Sequence, residues 1–342
     1  MKPVGHGAGV VRGPMPEAGC RAIAHSNIAL AKYWGKRDIE RNVPDVPSLS
    51  LTLDGLTTQT LVRFDPAARE DRVHLDGTLV DGDGARKITA LLDRVRAEAG
   101  HELRAFVDSS NDFPTASGLA SSASGFAALA LAALSASGLS APSRAISALA
   151  RAASVSAARS VYGGFVALEA GALEAEPIEV APSASSLRMV VAITQTGPKK
   201  VGSTRGMLLT QRTSPLYPGW RDAAPHIYAE LRAALEAGDF ERVGEAMEQS
   251  TLCMHGSMFA ARPGLIYASP ATLAAIDCVR ELRAGGTLAY FTMDAGPHVK
   301  VLTVEPAAAR VRLALETVPG VLRVLVSGAG GPARLLDEVS PT

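Results

Sequence analysis

Residues 113–123 read Phe-Pro-Thr-Ala-Ser-Gly-Leu-Ala-Ser-Ser-Ala, and residues 117–134 are built almost wholly from Ala, Leu and Ser. This stretch limits the fold more than any other. A helix of such small residues gains packing energy only by lying close against its neighbours. It opens after Pro114 and closes near Gly138. Its N-terminus presents unpaired N–H groups and a partial positive charge, which suits a phosphate. Gly118 permits close backbone approach, and the Ser121 and Ser122 hydroxyls can donate hydrogen bonds or help hold Mg²⁺. No Walker A pattern is present, so this is not a P-loop. A Ser-rich first turn taken alone is more often an ordinary capped helix.

Around this helix the chain mixes strands and helices without strict alternation. Residues 21–34 are expected to form a strand pair. Residues 48–53 alternate Ser-Leu-Ser-Leu-Thr-Leu and predict a half-buried strand, with 57–64 as its hairpin partner across Asp54-Gly55. Asp76-Gly77 marks a second hairpin between 72–75 and 78–80. Helical periodicity covers 85–99 and stops at Gly100, and a short strand is expected at 103–107. A helix at 143–153 and a strand at 163–169 follow. An apolar strand at 187–194 opens a second unit, with helices at 222–237, 239–255 and 270–283. Strands at 289–293 and 299–304 join through Asp294-Ala295-Gly296-Pro297. A helix at 306–317 and a strand at 321–326 finish the pattern. The fold class is therefore α+β with antiparallel sheets, not a doubly wound sheet. A length of 342 residues predicts two domains. The expected division is a flexible segment at 1–19, an N-terminal domain at 20–185 and a C-terminal domain at 186–335.

Composition narrows the function. Apolar residues are 47% and charged residues 20%, with zero formal net charge. No basic excess marks a nucleic-acid binder. Cys20, Cys253 and Cys278 have no metal-ligand spacing, and an odd count fits a reducing compartment. No apolar run approaches a membrane span of about 20 residues. A cytoplasmic protein is expected. The lysines are Lys2, Lys32, Lys36, Lys87, Lys199, Lys200 and Lys300. An ammonium is a compact phosphate partner, so lysines inside motifs invite functional questions.

Five motifs carry a resemblance. Residues 114–123 look like the nucleotide loop of the superfamily containing galactokinase, homoserine kinase, mevalonate kinase and phosphomevalonate kinase. The longer run 111–124 resembles one branch, the mevalonate diphosphate decarboxylases. Residues 24–38, with Ala-His-Ser-Asn-Ile-Ala-Leu-Ala-Lys-Tyr-Trp-Gly-Lys, are similar to that branch's N-terminal signature. Residues 154–165 look like its Ser-x-Ser-x-x-Arg-Ser-x-x-Gly-Gly motif. Lys199-Lys200 with 202–207 resembles its second-domain substrate loop, and 291–297 its Asp-Ala-Gly-Pro signature. The matches keep their order over roughly residues 21 to 332. Val155, Ala158 and Arg205 depart from the usual residues, and 328–332 matches the late Gly-Pro stretch only loosely.

The resemblance implies a two-domain small-molecule kinase fold, with a ribosomal protein S5 domain 2-like N-terminal domain and a ferredoxin-like C-terminal domain. It implies ATP-dependent decarboxylation of mevalonate 5-diphosphate to isopentenyl diphosphate, with ATP and Mg²⁺, in a homodimer. Asp294 would face the 3-hydroxyl, with Lys32 beside it. Arg159 would clamp the substrate carboxylate. Tyr33, Lys36, Ser154, Ser156, Ser203, Met207 and Ala295 would bind substrate. Asn111, Pro114, Ser117, Gly118, Leu119, Ala120, Ser121 and Ser122 would bind ATP, and Ser121 or Ser122 would reach the metal. Arg86 is a further diphosphate candidate, while Trp34 is read as packing. Phosphomevalonate decarboxylase and mevalonate 3-kinase activities stay open on the same scaffold, as does a non-catalytic ligand sensor.

Overall fold

The computed structural model describes residues 9–113, 121–197 and 200–336. Two antiparallel-rich sheets organise it. The first is centred on β1 (Cys20–Ala31) and the long β2 (Ser48–Asp65). It continues through β3 (Arg72–Leu75) and, after α1 (Gly82–Ala99), through β4 (Arg104–Asn111). Helices α2 (Ser121–Ala136) and α3 (Ser143–Ala153) follow, then a 3₁₀ helix over Val155–Val161 and strand β5 (Phe165–Leu168). The second sheet begins at β6 (Leu187–Ile193). Four helices come next: α4 (Ser203–Thr213), α5 (Tyr217–Ala237), α6 (Phe240–Phe259) and α7 (Pro270–Ala284). Strands β7 (Ala289–Thr292) and β8 (Val299–Val304), helix α8 (Glu305–Glu316) and β9 (Arg323–Ser327) complete that sheet, in the order β7-β8-β6-β9. Finally β10 (Arg334–Leu336) returns to pair with β1.

Strand alternation explains the layers. Val190 and Ala192 of β6 face α7 and α8, together with Val279 and Val311. Met189, Val191 and Ile193 face α5 and α6, together with Leu231 and Met247. That second core also takes Ile28 and Leu30 of β1 and Leu49 and Leu51 of β2, so α5 and α6 lie between the two sheets. The opposite face of the first sheet packs Val62 and Val107 against Leu92 of α1, Ala128 of α2 and Leu149 of α3. Helix α2 is buried along most of its length, as its small residues require.

Three expectations fail for tertiary reasons. Residues 21–34 hold one continuous strand, not a pair. Asp54-Gly55 makes no hairpin, because β2 runs straight through it. Both halves of β2 pair with β1, separated by an irregularity opposite Ser26. Asp54 instead accepts hydrogen bonds from Ser327 Oγ (2.7 Å) and Gly328 N (2.8 Å). The Asp76-Gly77 hairpin does form, with both residues at positive φ. Residues 48–53 are buried on both faces rather than half-buried, since their serines and threonine face protein.

Gly163 and the 328–332 segment meet backbone to backbone. Gly164 N donates to Gly330 O (2.9 Å) and Gly330 N to Thr52 O (2.8 Å). A Cβ on Gly163 would lie 2.8 Å from Gly331 C and 2.9 Å from Pro332 N. Backbone cannot yield there as a side chain could. Gly163→Ala should therefore cost about 2–3 kcal/mol, read as a lower urea midpoint with an unchanged slope.

Candidate active site

Lys32 follows the end of β1, and its amide donates to Ser250 Oγ of α6 (2.9 Å). Asp294 follows β7, in a loop braced by Thr194 Oγ1 (2.9 Å) and Thr272 Oγ1 (2.6 Å), both donating to Pro297 O. Glu248 of α6 holds β7 just before that loop, accepting from Phe291 N (2.9 Å) and from Arg283 Nη1 (2.7 Å). These supports bring Lys32 Nζ to 2.7 Å from Asp294 Oδ1. Lys32 Nζ also donates to Ala29 O (2.8 Å). The other carboxylate oxygen, Oδ2, lies 3.2 Å from the ammonium of Lys300.

Both lysines are almost fully buried, while a quarter of the Asp294 side chain stays open. Burial alone would raise the Asp294 pKa. Lys300 and Lys32 outweigh it and hold the carboxyl well below its usual range. Burial lowers Lys32 to about 8, even though Asp294 pulls the other way. His255 of α6 is buried near the pair. Burial, then Lys32, lowers it to about 4, so it stays neutral near pH 7.

Arg159 reaches the same place from the 3₁₀ helix. Its Nε donates to Ser50 Oγ (2.9 Å) and its Nη1 to Ser48 Oγ (2.7 Å). Thus the serines of β2 orient the guanidinium. Asn27 of β1 fixes the 3₁₀ helix by donating to Ser156 O (3.0 Å) and Ser160 Oγ (2.7 Å). Burial lowers the Arg159 pKa to about 10, so it remains charged at neutral pH.

Lys32, Asp294, Arg159 and Asn27 line one cleft of about 1140 Å³. Lys32, Arg159 and Asp294 share it with the expected substrate residues Tyr33, Lys36, Ser154, Ser156, Ser203, Met207 and Ala295. Ser121 and Ser122, at the described start of α2, line it too. The buried Tyr33 hydroxyl has no hydrogen-bond partner among the described residues. Pro114, Ser117, Gly118, Leu119, Ala120 and Lys199 lie outside the described residues.

Asn111 does not line the cleft. It sits at the end of β4, where its amide N–H donates to Asp76 Oδ1 (2.9 Å) and its Oδ1 accepts from Thr58 Oγ1 (2.6 Å). Arg86 is exposed and paired with Asp83. The expected substrate loop at 202–207 is largely the first turns of α4, which present Ser203, Arg205 and Met207 to the cleft. Trp34 packs as expected, beside Met207, Trp220 and Met254.

Sequence reasoning missed Lys300, Ser48 and Ser50. The available signal was polar residues inside otherwise apolar strands. It also missed the scaffold of Lys36. Lys36 Nζ donates to Asn42 Oδ1, and Arg151 holds the Asn42 turn by donating to Asn42 O (2.7 Å) and Arg41 O (2.8 Å). Gln211 of α4 clamps the Lys36 backbone, accepting from its N and donating to its O, both at 3.0 Å. Burial, then Lys87, lowers Lys36 to about 8. An anion binds only the charged form of this lysine. With a pKa of about 8, the KM of an anionic substrate should therefore hold steady below about pH 7, about double by pH 8 and rise about thirtyfold by pH 9.5. Lys36→Arg should flatten that rise, since arginine does not titrate there.

Comparison with known proteins agrees with this geometry. Residues 24–178 match the model of the diphosphomevalonate decarboxylase-like N-terminal domain, and 189–321 that of the mevalonate 5-diphosphate decarboxylase C-terminal domain. The phosphomevalonate decarboxylase of Haloferax volcanii is 36% identical over 93% of this chain and 97% of its own length. The diphosphomevalonate decarboxylase of Candida albicans is 33% identical over 80% and 81%. The crystal structure of mevalonate diphosphate decarboxylase from Staphylococcus aureus is similar at a TM-score of 0.89 and 37% identity, covering 94% of this chain and 98% of its own. MDDEF, solved in complex with MVAPP, AMPPCP and magnesium, gives 0.88 and 40% identity, covering 94% and 99%. With both halves matched, the chain belongs to the diphosphomevalonate decarboxylase family, whose members are ATP-dependent lyases.

Proposed function

We propose that this chain converts mevalonate 5-diphosphate and ATP to isopentenyl diphosphate, ADP, phosphate and CO₂. The observation that carries the reading is the meeting of Asp294, Lys32 and Arg159 in one cleft. Asp294 Oδ1 would accept the hydrogen bond of the 3-hydroxyl and orient it toward the γ-phosphorus. The carboxylate is too acidic to deprotonate the alcohol in advance. It takes the proton late, as the O–P bond forms and the bond to ADP breaks. Lys32, and Arg159 behind it, would stabilise charge on the transferring phosphoryl oxygens. In the second half, the C3–O bond to phosphate breaks. The electrons of the C–CO₂ bond become the new double bond, and CO₂ leaves. Arg159 would hold that carboxylate until release.

The residues present fit Mg²⁺ brought by ATP. Among the described residues no cluster of three His, Cys, Asp or Glu could cage an ion. Magnesium commonly takes few protein oxygens beside phosphates and water, and the Ser121 or Ser122 hydroxyl would serve. Bound there, it would neutralise triphosphate charge. MDDEF binds MVAPP, AMPPCP and magnesium, which supports this choice. The domain division at 20–185 and 186–335, a homodimer and a cytoplasmic setting form part of the same reading. No helix among the described residues is long and apolar enough to cross a membrane.

One observation favours a second reading. The Haloferax volcanii relative is a phosphomevalonate decarboxylase and matches over nearly its whole length. The test is CO₂ release from mevalonate, its 5-phosphate and its 5-diphosphate, each with ATP. The diphosphate should give a kcat/KM at least about a hundredfold above the others. A preference for the monophosphate would transfer the assignment to the second activity.

A further inference from the structure

Asp294 is held by two ammonium groups, and only one was legible as part of a motif. Lys300 is the second residue of β8, between Val299 and Val301, which face the α7–α8 core. Alternation turns Lys300 to the other face, the one that looks toward α6 and the end of β1. The residue is completely buried, and its Nζ lies 3.2 Å from Asp294 Oδ2. A buried ammonium is costly unless an ionised partner offsets it. A methionine would fill the same strand position without that cost. Lys32 already supplies one counter-charge at 2.7 Å on Oδ1. A second lysine is therefore more than the carboxylate needs for neutrality.

We propose that Lys300 is a positioning residue for the phosphoryl-transfer step: it pins Oδ2, fixes the carboxylate plane, and keeps the Asp294–Lys32 pair ionised. This rests on the functional reading above. A lone buried Asp–Lys pair can become neutral by passing its proton from nitrogen to oxygen. Asp294 would then present a hydroxyl instead of an acceptor, and Lys32 would lose the charge that meets the phosphoryl group. Lys300 lowers the proton affinity of both partners, but it lies against Oδ2 and acts more strongly on the carboxylate, so it opposes that transfer. Four groups act on Asp294: Lys32 after β1, Lys300 on β8, Arg159 on the 3₁₀ helix and neutral His255 on α6. Three of them are cationic, so the surplus positive charge lies where two anionic substrates must meet.

The test is steady-state kinetics of Lys300→Met and Lys300→Arg against wild type, from pH 4.5 to 9, with melting curves as the folding control. For Lys300→Met, kcat should fall about 30- to 300-fold while both KM values stay within about threefold. An acid limb absent from wild type should appear near about pH 5, as Asp294 becomes easier to protonate. Lys300→Arg should remove that limb and recover part of kcat. If Lys300→Met does not fold, Lys300→Arg decides: a profile without the limb and kcat within about tenfold of wild type supports the role. Near-wild-type kcat in folded Lys300→Met, or a loss of kcat with the acid limb still absent, would overturn it. So would an unfolded or inactive Lys300→Arg. If the functional reading itself fails, wild type shows no turnover, a result distinct from each of these.

Discussion

Asp294→Asn is expected to lower kcat by about 10³- to 10⁴-fold while leaving KM for ATP and for the mevalonate substrate within a few-fold. The amide keeps the shape of the side chain but loses the charge and the proton-accepting oxygen. It presents an acceptor on one side only, against two ammonium groups at 2.7 and 3.2 Å. The variant should also be less stable by about 3–5 kcal/mol at pH 7, because two buried lysines lose their shared counter-charge. The sign of the pH dependence follows. Without Asp294 the folded state depresses a lysine pKa further below its unfolded value near 10.4. Wherever the unfolded chain holds more protons, stability rises with pH. The deficit relative to wild type should therefore shrink in urea titrations as pH rises toward about 8, where Lys32 of the wild type also loses its proton, and level off above it. A deficit that stays constant would mean the lysines are not the source.

Arg159→Lys should cost about 10²- to 10³-fold in kcat/KM, corresponding to about 3–4 kcal/mol. Lysine keeps the charge but not the fork. Arg159 spends Nε on Ser50 and Nη1 on Ser48, which aims the rest of the guanidinium at the cleft. A single ammonium cannot hold both serines and a carboxylate at once. If Arg159 positions the carboxylate for elimination, CO₂ should fall more than ADP, so the CO₂-to-ADP ratio drops below one. Equal loss of both products would confine Arg159 to binding and the phosphoryl step.

Much of this was readable in the chain. Helix ends at Gly100 and Ala153, the Asp76-Gly77 hairpin and the strands around Asp294 follow from local chemistry, because their signals lie within a few residues of the element. The trio Lys32, Arg159 and Asp294 was legible through ordered motifs. Most of what stayed hidden is set by distant partners. Asp54-Gly55 looks like a turn but is occupied in gripping Ser327 and Gly328, some 270 residues away. The Ser-Leu alternation of β2 looks like one wet face, yet Ser48 and Ser50 face Arg159. Lys300 looks like the polar half of an alternating strand. Its pairing with Asp294 is local to the β7–β8 pair, where Lys300 lies opposite Thr292, two residues before Asp294, and it was missed because the residue pattern does not state that register. Asn111 adjoins the 113–123 run in sequence, and in the fold its backbone amide and Oδ1 are held by Asp76 and Thr58.

The most direct measurement is the stoichiometry of purified protein given mevalonate 5-diphosphate, ATP and Mg²⁺. ADP, inorganic phosphate and CO₂ should appear in equal amounts, with isopentenyl diphosphate as the organic product. ADP accumulating without CO₂ would make the chain a kinase, and no ADP at all would leave the Asp294 cleft without the chemistry assigned to it.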